Sequence, residues 1–110
     1  MKVLAVETAT SWQSVAILDD SRVLARYDQD AAGSHAKLLL PTIDRLLRET
    51  GVALKQLDGL AVSIGPGSFT GLRVGLATLL GFRTISRLPL AVRPTLEGMG
   101  LSLQGTVEIL

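Results

Sequence analysis

Residues 63–75 read Ser-Ile-Gly-Pro-Gly-Ser-Phe-Thr-Gly-Leu-Arg-Val-Gly, and this stretch sets the architecture on either side of it. Upstream, residues 58–64 are a short, mostly apolar run, the mark of a buried strand. Gly65-Pro66-Gly67 breaks the run, because proline lacks an N–H and glycine reaches dihedrals closed to other residues. Downstream, residues 70–86 form a helix that is apolar around most of its circumference, with Ser68 or Thr70 placed to cap its first turn. The stretch is a strand-to-helix switch. A glycine-rich turn of this kind can aim a helix, or it can hold bare backbone N–H groups against a phosphate. It lacks the Gly-Lys-Ser/Thr ending of a Walker loop and the spacing of a dinucleotide fingerprint. Gly65, Pro66, Gly67, Ser68, Thr70 and Gly71 therefore read as a structural loop, with phosphate contact as the alternative.

Working outward, residues 2–7 are a short apolar strand that ends in the hydroxyl-rich turn Thr8-Ala9-Thr10-Ser11. Residues 13–18 make a second strand, which turns at Asp19-Asp20 into a third at 22–28. Val15, Ile17, Val23, Ala25 and Tyr27 keep a period of two, so the trio reads as an antiparallel meander. Asp28 and Asp30 read as solvated turn residues. Leu38, Leu39, Ile43, Leu46 and Leu47 recur at helical spacing over 34–50, with Ser34 as N-cap and Gly51 as the C′ residue. Pro41 removes one ladder N–H inside that helix and predicts a kink. Residues 89–93 supply a fifth strand, and Pro94 starts a new element.

Composition bounds the function. A chain of 110 residues has the length of one domain and can bury a core. Hydrophobic residues at 47% against charged ones at 19% argue against disorder. The net charge is +1, with no basic cluster interleaved with aromatics, so no direct nucleic-acid surface is legible. Without cysteine, neither a disulfide frame nor a thiolate metal site can form. The apolar run after Met1 is too short for a secretory signal, and nothing approaches the ~18 consecutive apolar residues of a membrane span. A soluble, cytoplasmic protein with no membrane partner is the expectation.

The order of three meandering strands, helix, strand, helix, strand predicts an α/β domain with a five-stranded mixed sheet, the pattern of actin-like and ribonuclease H-like folds. Three segments, "VETATSWQSVAILDD", "SHAKLLLPTIDRLL" and "GLAVSIGPGSFTGLRVGLATLLGFR", together resemble the N-terminal half of the TsaB (YeaZ) family, up to about Leu101. The resemblance implies a noncatalytic partner in forming N6-threonylcarbamoyladenosine at position 37 of tRNA. The chemistry would belong to the paralogue TsaD, with a separate ATPase, TsaE, joining the complex and tRNA met only indirectly. It implies no cofactor for this chain, ATP being a matter for the complex, and a homodimer as an alternative pairing. Family members are about twice as long, so 1–110 reads as a single actin-like domain without the family's second one. The competing class is an actin-like ATPase or a metallopeptidase-type (glycoprotease-like) hydrolase.

Site residues follow from both readings. Thr8, Thr10 and Ser11, beside Glu7, could hold a nucleotide phosphate, or could simply satisfy their own backbone in the turn. His35, the single histidine, reads as a surface or capping residue. The resemblance adds that catalytic paralogues carry a histidine pair for metal after the fifth strand, where this chain reads Arg93-Pro-Thr-Leu-Glu-Gly-Met-Gly100, so no metal and no catalytic residue is expected. The helix of 70–86 is apolar on more sides than one sheet can cover. Leu39, Ile43, Leu72, Leu76 and Leu79 therefore read as contacts with a partner helix, Arg73 as a rim residue and Gly75 as the point of close approach.

Overall fold

The computed structural model describes residues 1–8, 12–20, 22–31, 34–63 and 69–93. In chain order these form β1 (Lys2–Glu7), β2 (Trp12–Asp19), β3 (Arg22–Asp30), α1 (His35–Thr50), a single 3-10 turn (Leu54–Gln56), β4 (Gly59–Ser63), α2 (Phe69–Ser86) and β5 (Leu90–Arg93). One sheet holds all five strands in the order β3-β2-β1-β4-β5. β1, β2 and β3 pair antiparallel, and β1–β4 and β4–β5 pair parallel. The expected five-stranded mixed sheet with its antiparallel meander is the observed one.

The two faces of the sheet differ in the size of their side chains. Leu4, Val6, Val15, Ile17, Leu60, Val62 and Leu90 point to one side, where they share a core with Leu39, Ile43 and Leu46 of α1 and Leu79 of α2. Each such fully buried side chain contributes roughly 1.5–3 kcal/mol. α1 lies over β2 and β3, while α2 lies over β4 and touches β1 and β5. On the opposite face sits a smaller buried cluster, Val3, Ala5, Ala16, Leu18, Ala61 and Ala91. Register aligns four of these: Ala16 faces Ala5, Ala5 faces Ala61, and Ala61 faces Ala91. A row of methyl groups thus crosses four strands.

The sequence reading misplaces two details, the phase of Val23 and the setting of Asp28 and Asp30, and Ser34 takes its expected N-cap place without a side-chain bond. The β2–β3 register shifts between Ile17, which faces Ala25, and Leu18, which faces Val23, so Leu24 is the extra residue of a bulge. Val23 is thereby thrown out of phase with Ile17 and stands 51% exposed, while Leu24 packs on the core. Asp28 and Asp30 belong to β3 rather than to a turn. Ser34 precedes α1 but caps it only through its carbonyl, which accepts from the N–H groups of Lys37 and Leu38. Gly51 ends the helix as expected, at φ 71, with its own N–H donating to the Arg48 carbonyl and that of Val52 to Leu47. α1 continues through Pro41 from His35 to Thr50.

Candidate functional site

The carboxyl ends of β1 and β4 lie side by side, and register sets Glu7 next to Ser63 on the face away from the helices. The Ser63 hydroxyl donates to Glu7 Oε1 at 3.1 Å. Ser14 stands opposite Glu7 on β2 and Asp28 opposite Ser14 on β3. Burial pushes the Asp28 carboxyl up, but a hydrogen bond from Ser14 and the Arg26 guanidinium hold it below the usual aspartate value. Arg26 Nε lies 3.0 Å from both Asp28 oxygens. Polar side chains thus replace the alanine row one step nearer the strand ends.

On the helix face of the same edge, the polar groups are buried. Extending the Glu7–Ser14 register by one residue puts Thr8 opposite Gln13, and both are 0% exposed. Gln13 in turn faces Gln29, whose amide Nε2 donates to Thr42 Oγ1 at 2.9 Å. His35 lies seven residues before Thr42 on the same buried side of α1, about two turns along. Thr8 Oγ1, both ends of the Gln13 amide and His35 Nδ1 have no hydrogen-bond partner among the described residues. Each such orphaned group costs roughly 1–3 kcal/mol. His35 is therefore not the surface residue that its neighbours in sequence suggest. Nothing short of the tertiary packing of α1 could have revealed that.

Thr8 does not open to solvent, because Gly75 of α2 sits directly on its side chain. Thr10, Ser11 and the loop residues Gly65, Pro66, Gly67 and Ser68 lie outside the described residues. Thr70, Gly71 and Leu72 fall in the opening turns of α2, where only the backbone is described. The one approach from Gly75 that the structure defines is onto the chain's own β1 end, so its reading as a partner contact is corrected.

The helix surface needs a second correction. Leu39 and Leu79 are 0–1% exposed and point into the core, so they do not present a surface to a partner. Ile43, 1% exposed, is a core residue that reaches the surface only at the floor of a groove. The reason is geometric: His35, Leu39, Thr42, Ile43 and Leu46 form the stripe of α1 that the sheet covers. Leu76 is half-buried against the core, and Arg73 is exposed. Among the described residues, the large apolar side chains left exposed on the two helices are Leu40, 52% exposed, and Ile85, 79% exposed. Between the helices runs a groove of about 290 Å³, lined by Leu40, Ile43, Asp44, Leu47, Leu54 and Phe82. The run Leu38-Leu39-Leu40 carried the signal for this, since three consecutive helical residues cannot share one face.

A central β1–β4 parallel pair, flanked by an antiparallel meander and with α1 and α2 on one face, defines an actin-like or ribonuclease H-like domain. RuvC from Thermus thermophilus shares the fold at TM-score 0.56 and 11% identity, over 84% of this chain and 63% of that one. Sequence comparison narrows the class. The family model for TsaD, tRNA N6-adenosine threonylcarbamoyltransferase, matches residues 26–108. The tRNA threonylcarbamoyladenosine biosynthesis protein TsaB of Escherichia coli K12 is 35% identical over 90% of this chain and 42% of its own length. YeaZ from Pseudomonas aeruginosa superposes at TM-score 0.77 and 35% identity, over 83% of this chain and 42% of that one. The chain belongs to the TsaB/YeaZ family and spans about two fifths of the length of these relatives.

Proposed function

We propose that this chain acts in the formation of N6-threonylcarbamoyladenosine on tRNA as a noncatalytic partner of a TsaD-type paralogue. In this reading TsaE joins the same complex in the cytoplasm, ATP is used at the level of that complex, and pairing with a second copy is the fallback of the isolated chain. The names borne by its relatives support the pathway. Leu40 and the groove it shares with Leu47 and Phe82 carry the docking surface. A matching apolar helix face would cover them. The buried Thr8 counts against an open phosphate site, and so against an ATPase working alone.

The test is Leu40→Asp, at a position 52% exposed and outside the core. Losing one buried leucine side chain at an interface forfeits roughly 1.5–3 kcal/mol, so capture of a TsaD-type protein should weaken by about tenfold or more. The circular dichroism spectrum should not change. Wild-type capture by the folded variant, or ATP turnover by the chain alone, would overturn the reading.

A further inference from the structure

α2 carries a second surface, on its flank opposite α1. At 3.6 residues per turn, Arg73, Leu80, Arg83, Thr84 and Arg87 fall on one flank and Phe82 and Ile85 on the other. Phe82 is the side that meets α1, so the arginine flank faces the β5 edge of the sheet. Leu80, Arg83, Thr84 and Arg87 line an open cavity of about 340 Å³ there. The ion pairs of the described side chains take up Arg26, Arg45 and Arg48, and none includes Arg73, Arg83 or Arg87. The sequence explains this: from residue 59 to residue 96 there is no aspartate or glutamate, but there are four arginines.

A second observation singles out Arg87. α1 ends on Gly51 at φ 71, the left-handed cap that glycine fits best. α2 also ends on a left-handed residue, at φ 61, but here it is Arg87, whose N–H donates to the Arg83 carbonyl at 2.7 Å. The chain thus uses glycine for one cap and tolerates a strained arginine for the other. Arg87 at this cap and Arg83 one turn before it line one cavity.

In place of the indirect tRNA contact expected from the sequence, we propose that this flank binds the phosphodiester backbone of RNA directly. Two arginines lining one cavity suit a phosphate, because a guanidinium can grip one through paired N–H donors. With Arg73 the flank is about 21 Å long along the helix axis, a span that successive phosphates can follow and a lone carboxylate cannot. The choice of RNA among polyanions rests on the tRNA-pathway reading; the existence of the anion site does not. The contact is independent of the α1–α2 groove, so its failure leaves partner docking untouched.

The experiment titrates the full chain into a fluorescein-labelled tRNA across a range of salt and compares wild type with Arg83→Gln/Arg87→Gly. The variant should bind roughly tenfold more weakly and lose about one unit of salt slope per phosphate contact removed. Arg87→Gly alone should melt at or above the wild-type temperature, since glycine relieves the left-handed cap. Unchanged affinity and slope would overturn the proposal, as would a loss of binding that only tracks a fall in melting temperature. Poly-glutamate bound as tightly as tRNA, and released by the same variant, would assign the flank to an acidic protein surface and overturn it as well.

Discussion

Gly75 and Gly81 occupy the same helix six residues apart, and the same substitution should have opposite effects at the two. An added Cβ at Gly81 meets nothing within 4 Å. Gly81→Ala therefore gains only the helix preference of alanine, about 0.5–1 kcal/mol of stability. At Gly75 the new methyl runs into Thr8 Oγ1 and touches Thr8 Cβ and Cγ2 at 3.5 Å. The same helix gain is then set against an overpacking cost of roughly 1–3 kcal/mol, and the variant falls below wild type. The melting temperatures of the two variants should differ by about 4–8 °C for each kcal/mol between them. Thermal and urea unfolding followed by circular dichroism measure both. Thr8→Ala removes the obstructing hydroxyl, which has no hydrogen-bond partner among the described residues. On that background Gly75→Ala should recover most of its loss, a coupling well outside the ~0.3–0.5 kcal/mol scatter of independent sites. If Gly75→Ala stabilised like Gly81→Ala, or cost the same with and without the Thr8 hydroxyl, the packing of α2 on β1 argued above would be wrong.

Two further outcomes follow from neighbouring side chains. Leu39→Ala opens the core at a residue 1% exposed and should cost about 2–5 kcal/mol in urea unfolding, whereas Leu40→Ala should stay within about 0.5 kcal/mol of wild type. Burial raises the Asp28 pKa while the bonds from Ser14 and Arg26 bring it below the ordinary 3.8, so Ser14→Ala should move it upward in a carboxyl NMR titration. Because the folded value is the lower one, what these bonds contribute to stability is complete above the ordinary aspartate value and fades as pH falls through the folded one. A pKa unmoved by Ser14→Ala would remove that hydroxyl from the account.

Much of the topology was legible because each strand carries its own pattern and each connection is short. Ala25 and Tyr27 alternate with their neighbours as a half-covered strand must, and Gly51 marks the end of α1 by its chemistry alone. The bulge at Leu24 was not legible, since one inserted residue leaves local composition unchanged while reversing which face Val23 occupies. The site was less legible still. Leu39 and Leu40 are chemically identical neighbours, and only the sheet decides which of them is core. Gly75 looked like a residue made for contact with another helix because a small side chain signals close approach without naming what approaches. Arg87 could not be singled out, because its dihedral angle is a property of the folded helix end.

The alanine row across β2, β1, β4 and β5 has a consequence for how this sequence can drift. On the helix side of the sheet, leucine, isoleucine, valine and methionine can exchange for one another while total volume is kept. Ala5, Ala16, Ala61 and Ala91 have no such freedom: each is 0–2% exposed, so nearly every replacement is larger than the space it must enter. Only glycine is smaller, and it weakens a strand. A saturation scan of the chain should therefore show a line of intolerance running across the strands, at right angles to the chain direction. Positions more than seventy residues apart in sequence would vary together or not at all.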